Sequence, residues 1–428
     1  EAGIDLFLEK LVQETEKEHE DILEQADETD AMFGELYSWY LRNPEYRSRI
    51  QKLVQSAFAG KPEDIISQSV AKALYGEVSP YSATRLERFA ACAFAHFLQY
   101  GMKLTERVEY EFKPMDMGNV MHEALESFAE EVRKRGMKWT ELTEQERNEI
   151  ADRCLDNIVA DYGNTVLKSS ARNEYMIERT RRILRRTVWA LQKQLEQGEF
   201  QPEGFEVTFG GGRIDRVDIM EDQNKVYVKV IDYKTGNTSF DLVYLYHGLQ
   251  LQLMIYLDGA LRVEQKKYPD KEIIPAGVFY YNIKDPMIQE KIDADVEAVS
   301  AGLMKELKMN GLAQADPELV YRMDSSLGSI PVAFNKDGSF RKNSSVADRT
   351  QFAVLGRYVR TKIEKIRSSI LEGDAEVSPY ELGKKNACTY CPYMTVCGFD
   401  RRLSGYEFRR LKNFSDEELW KAFDREAE

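Results

Sequence analysis

The 428-residue sequence is poor in cysteine and histidine, with five and four respectively. A secreted disulfide framework of this length would use more cysteines, in an even number, so that class is excluded. No apolar run approaches the roughly 18–20 residues of a membrane span. There are no internal repeats. The GxxxxGK[ST] phosphate loop is also missing, so nothing supports ATP hydrolysis by this chain. No signal peptide follows Glu1, and the chain reads as a piece of a longer, soluble, cytoplasmic protein. Net charge is −14, from 59 Lys+Arg against 73 Asp+Glu, which argues against a passive nucleic-acid coat. What is present is a globular composition, 43% hydrophobic and 11% aromatic, at a length of about two to three domains.

Residues 1–78 read as acidic and helical. One amphipathic stretch covers 7–23, and a second is broken at Pro44. A new unit starts near Ser79. Ser82 is a plausible N-cap for a helix over 83–99, which would set Cys92 on an aromatic face with Phe89, Phe94 and Phe97. Helices are expected over 118–135, from the Thr143/Glu146 capping box to about 161, and over 170–197. The character then changes to strands at 205–210, 212–220 and 225–234, a helix at 242–261 and a strand at 276–283. Residues 324–345 form a polar loop, 347–372 a helix, and 411–428 a charged helical tail. This order predicts an α/β (α+β) core sheet inside a helical shell.

The chemistry concentrates on the pair of strands 212–220 and 225–234. The period of two puts Asp232 and Lys234 on one strand face, with Tyr233 on the other but its carbonyl nearby. With Asp215, two carboxylates and an ammonium form an oxygen-rich site suited to Mg²⁺ or Mn²⁺. Such an ion can activate water against a phosphodiester. D-x-K alone is common on surface hairpins, but here it ends the buried run VYVKVI and follows GRIDRVD.

The other cluster is Cys388-x2-Cys391-x5-Cys397, three thiols in one compact turn. A fourth ligand must come from elsewhere, and chemistry alone leaves zinc and iron–sulfur open.

GxxDRxD, a strand ending in DYKTG, and a helix carrying Gln252 and Tyr256 as QxxxY together resemble the RecB-type branch of the PD-(D/E)XK nucleases. Gly118 to His122 matches that branch's GxxxH. The resemblance implies a restriction-endonuclease-like core. His122, Asp215, Asp232 and the Tyr233 carbonyl would bind the metal, Lys234 would be the catalytic lysine, and Gln252 and Tyr256 would line the DNA path. The link FGGG between the Glu206 strand and GRIDR is shorter than usual for the family, which weakens any role for Glu206.

Over roughly residues 79–410 the chain is most similar to the AddB family of helicase–nuclease subunits. That resemblance implies a 4Fe–4S cluster on Cys92, Cys388, Cys391 and Cys397, stapling one nuclease domain over 79–410 and shielded by Phe89, Phe94, Tyr390, Tyr393 and Phe399. Cys154 would be a bystander. It further implies an AddA-type partner subunit, and as substrate the 5′-ended strand of an unwound duplex end. An inactive iron–sulfur DNA-binding scaffold, a single-strand exonuclease, and a zinc-bearing interaction module are the competing readings. The basic helix face at Arg179, Arg181, Arg182, Arg185, Arg186 and Lys193 could flank a DNA channel.

Overall fold

The computed structural model describes residues 28–57, 65–76, 82–105, 114–161, 170–210, 212–288, 295–403 and 405–427. The helix expected over 7–23 and the start near Ser79 lie outside these residues. Two helices, α1 (Glu28–Arg42) and α2 (Pro44–Ala57), meet at Pro44, the first residue of the second, where its missing amide costs nothing. A short helix, α3 (Gln68–Tyr75), follows. Helix α4 (Ala83–Ala91) begins at Ser82, whose hydroxyl accepts the Arg85 amide.

The helix expected to continue to 99 instead stops at Cys92. That residue is extended, at φ −166° and ψ 118°. The chain restarts as α5 (Ala93–His96), which runs into a π-helical turn at Phe97–Gly101. A distant segment causes the break, because the Phe94 amide donates to the Glu376 carbonyl at 2.9 Å. Helical propensity loses to this tertiary bond.

Helices α6 (Pro114–Lys134), α7 (Glu144–Asp161) and α8 (Ala171–Glu196) form one layer. The capping box at the start of α7 is present: Thr143 N donates to Glu146 Oε2 at 3.0 Å and Glu146 N to Thr143 Oγ1 at 3.3 Å. The sheet comprises β1 (Gln201–Phe209), β2 (Gly212–Asp222), β3 (Lys225–Lys234), β4 (Glu272–Asn282), β5 (Asn310–Gln314) and β6 (Val346–Ala347), in that spatial order. Strands β1 to β3 pair antiparallel, β3 and β4 parallel, β4 and β5 antiparallel, and β5 and β6 parallel.

The crossover from β3 to β4, expected as one helix over 242–261, is two. These are α9 (Leu242–Tyr246) and α10 (Gln252–Lys267), separated at Gly248 with φ +78°. A Cβ at Gly248 would come within 3.2 Å of Ala90 Cβ, so the glycine permits both the turn and the close approach to α4. The remaining helices are α11 (Val296–Glu306), α12 (Pro317–Met323), α13 (Arg349–Glu372), α14 (Met394–Cys397) and α15 (Asp416–Ala427).

Alternation along the strands builds a core on each sheet face. Met220, Ile231, Tyr233, Phe279 and Tyr281 pack with α6, α7 and α8. Val217, Ile219, Val226, Val228, Val230 and Tyr280 pack with α4, α10, α13 and α15. Helix α15 is charged outside but buries Leu419 and Phe423 in this second core. No helix among the described residues is long and apolar enough to cross a membrane.

A buried ionic cluster sits within the sheet. Asp218 is fully buried, with Arg216 Nε at 2.5 Å and Lys229 Nζ at 2.9 Å from its oxygens. The Arg216 guanidinium also lies over the Trp139 and Phe205 rings, at 5.8 and 5.7 Å. Burial alone would raise the Asp218 carboxyl; the two cations outweigh it and hold Asp218 below its ordinary range. Removing the shared carboxylate would leave two buried cations unpaired. Asp218→Ala is expected to cost about 3–5 kcal/mol in urea denaturation. A loss below about 1 kcal/mol would show that the cluster is not held together by this charge.

Candidate active site

Cross-strand register brings acids from three strands together. Phe205 pairs with Arg216 and Val207 with Ile214, so Glu206 stands across from Asp215. Arg216 pairs with Ile231, so the next step toward the sheet edge sets Asp215 against Asp232. Like charges opposite each other on adjacent strands repel. Part of the compensation comes from α6. His122 Nδ1 is 3.3 Å from Asp215 Oδ2 and 3.9 Å from Glu206 Oε1. Gly118 of the same helix faces the end of β3, where a Cβ would make ordinary contact with Thr235 Oγ1 at 3.4 Å.

Glu206 itself has φ +49°, a left-handed conformation that costs a non-glycine residue about 1 kcal/mol. The shortness of FGGG argues from sequence against a role for this acid. The structure nevertheless places it beside His122 and Asp215, with ligand atoms within 4.8 Å of one another, and Arg213 as its ion-pair partner. The sequence signal for it is the strand alternation alone.

Asp232 is 1% exposed. Lys234 Nζ lies 2.6 Å from its Oδ2 as an ion pair. Lys234 also donates to Gln252 Oε1 at 2.8 Å, and Gln252 Nε2 donates to the Tyr256 hydroxyl at 2.9 Å. Tyr256 is buried, edge-on to Phe209 at 5.9 Å. Gln252 and Tyr256 thus form a hydrogen-bonded chain behind the lysine. The Tyr233 ring points into the opposite core, and its amide donates to Asp215 Oδ2 at 2.7 Å.

Burial, then the charge of Asp215, pushes the Asp232 carboxyl up to about 7 against the pull of Lys234 and His122. Burial pulls the His122 imidazole down, but Asp215, Glu206 and Asp232 outweigh it and raise it to about 10. The site sets three carboxylates, Glu206, Asp215 and Asp232, against three cations, His122, Arg213 and Lys234, and holds Asp215 and Asp232 so close that Asp232 resists ionisation. An oxygen-rich donor set of this kind suits a divalent ion.

The four cysteines named from the sequence line one small cavity. Cys92 arrives from the break after α4, and Cys388, Cys391 and Cys397 from the C-terminal turn, with Phe94, Tyr393 and Phe399 around them. Burial, then the other three thiols, pushes Cys388 up to about 12. Two of the expected shielding aromatics are elsewhere: Phe89 packs in the sheet core, and Tyr390 is 95% exposed. Cys154 is buried in the other core. On the basic face of α8, Arg181 and Arg185 pair with Asp152, and Arg182 and Arg186 with Asp285. The first pair ties α8 to α7 through Asp152, and the second ties α8 to the segment after β4 through Asp285.

A sheet carrying acids from successive strands, a lysine two residues beyond the last acid, and a histidine from the flanking helix define a metal-dependent phosphodiesterase type of centre. Residues 80–398 match the PD-(D/E)XK nuclease superfamily, and the chain belongs to that family. Its curated relatives include subunits of ATP-dependent helicase/deoxyribonucleases. The one from Lachnoclostridium phytofermentans is 41% identical over 425 residues, covering 94% of this chain and 36% of that protein. The protein of the same description from Thermoanaerobacter sp. is 34% identical, with 94% of this chain and 37% of the relative covered. That from Clostridium acetobutylicum is 33% identical, with 93% and 36% covered. The chain therefore spans little more than a third of these curated relatives. Membership in the family implies a divalent cation, which the donor set here suits.

The carboxylate crowding predicts a measurable strain. The folded Asp232 carboxyl keeps its proton up to about pH 7, whereas its ordinary value is 3.8. Its ionisation therefore costs stability, beginning near pH 4 and complete above pH 7. At pH 8 without divalent cations, Asp232→Asn is expected to raise the melting temperature by about 2–4 °C. The gain should vanish at pH 4 and shrink when Mg²⁺ is added to both proteins. An equal gain at both pH values would show that repulsion is not its source.

Proposed function

We propose that this chain is the deoxyribonuclease domain of a helicase–nuclease that processes double-strand DNA ends, cleaving the 5′-ended strand. The observation that carries this reading is the row of Glu206, Asp215 and Asp232 across three strands, with Lys234 ion-paired to Asp232 and His122 beside Asp215. A Mg²⁺ ion (or Mn²⁺) bound there would lower the pKa of water and offset charge on the phosphodiester. Asp215, Asp232, His122 and the Tyr233 carbonyl would hold the ion, joined by Glu206. Lys234 would orient the attacking water or stabilise the charge that develops on phosphorus-bound oxygen. Gln252 would fix the lysine at the edge of the DNA path, with Tyr256 behind it. The names of the relatives support a partner subunit, which we take to be of the AddA type, and DNA as substrate. The proposed place of action is the cytoplasm.

For the cysteines we propose a structural 4Fe–4S cluster. Here four thiols from two distant segments line one small cavity enclosed by Phe94, Tyr393 and Phe399, which supports an inorganic core held by all four. Because Cys92 and Cys388 are roughly 300 residues apart, such a core would close a long loop and so convert binding energy into folding energy.

Two measurements test these proposals. With Mg²⁺ and single-stranded DNA, Asp232→Ala and Lys234→Ala should each lower kcat by at least about 10²-fold. Equal digestion by all three proteins would reject the site, and no digestion by any of them would favour an inactive scaffold. Anaerobically purified protein should contain iron and sulfide in equal amounts and lose both in Cys391→Ala. A colourless protein containing zinc would reject the cluster.

A further inference from the structure

Helix α4 carries an acid that neither the nuclease site nor the cysteine cavity uses. Glu87 Oε1 accepts two backbone amides from a segment far along the chain: Leu251 N at 2.7 Å and Gln252 N at 3.0 Å. These are the amides at the start of α10, where Leu251 occupies the N-cap position but offers no capping side chain. A leucine cannot satisfy the free amides of a helix start. Glu87 supplies from another helix what the sequence of α10 lacks. Burial lifts the Glu87 carboxyl to about 7, with the two amides and Lys234 pulling the other way. In either protonation state Oε1 can accept both amides.

The consequence runs through one residue. Gln252 gives its backbone amide to Glu87 and its side-chain oxygen to Lys234 Nζ. Fixing the backbone of Gln252 therefore fixes the acceptor that aims the ammonium. We infer that Glu87 is a positioning residue for Lys234, acting through the first turn of α10. Helix α4 ends at Cys92, so the helix that aims the lysine also reaches the cysteine cavity. This inference rests on the reading of Lys234 as the catalytic lysine.

The test uses the full-length protein with its partner subunit, and three substitutions that separate reach from charge. Glu87→Gln keeps the acceptor oxygen at the same reach and removes the charge. Glu87→Asp keeps the charge and is one methylene shorter. Glu87→Ala removes both. Positioning predicts that Glu87→Ala and Glu87→Asp lower kcat by about 10–100-fold, while KM for single-stranded DNA stays within about threefold. Glu87→Gln should restore most of kcat. Melting temperature and iron content, measured on the same samples, identify any variant whose loss comes from misfolding; the comparison of Glu87→Gln with Glu87→Asp then decides, since both keep a polar side chain. If Glu87→Asp is active and Glu87→Gln is not, charge rather than reach matters, and the inference is overturned. Full activity in Glu87→Ala overturns it too. Full activity in a parallel Lys234→Ala control would instead reject the nuclease site itself.

Discussion

Three carboxylates set side by side across β1, β2 and β3 are the constraint around which this molecule is arranged. A sheet places facing residues at a fixed spacing, so the repulsion cannot be relieved by moving one strand without shifting the register of all three. The chain offsets it with three cations. His122 comes from α6, outside the sheet, Arg213 from the start of β2, and Lys234 from the end of β3. Each offset imposes a requirement of its own. Helix α6 must pack close enough to bring His122 to Asp215, and Glu206 sits in a left-handed conformation within β1. Local strain of this kind survives where surrounding structure determines it, which is common at functional sites.

The two places where an expected helix is broken are neighbours in space. The α4 helix ends at Cys92, and the crossover is interrupted at Gly248, whose missing side chain leaves room for Ala90 near the end of α4. One break delivers a thiol to the cysteine cavity. The other lets the chain turn so that Gln252 begins a fresh helix beside Lys234. A continuous helix at either point would satisfy local preference and would separate these groups.

Much of this is legible in the sequence because it depends on short-range periodicity. The common face of Asp232 and Lys234, with Tyr233 opposite, follows from strand geometry. The Ser82 cap and the Thr143/Glu146 box are local patterns, and both form. What is not legible depends on distant contacts. The helix break at Cys92 answers to Glu376. Strands β5 and β6 are too short to show a period, and β6 is two residues long. That Arg216, Asp218 and Lys229 form one buried ion cluster is known only once β2 and β3 are paired. Glu206 can be assigned only once the β1–β2 register is known. Glu87 reads as one more acid on an amphipathic helix, and its amide partners lie beyond any local window.

The sheet separates two cores, and the active site draws on both. His122 projects from a helix packed on one face, whereas Lys234 and Gln252 are held by helices packed on the other. Proteins open region by region, with local free energies below the global value. Here a fluctuation that loosens either half carries off part of the site while the other half stays folded. Heat should therefore silence the molecule before it melts it. Activity in such an arrangement reports on the integrity of both halves at once, as a coincidence detector would, and damage to packing on either side reads out first as lost chemistry.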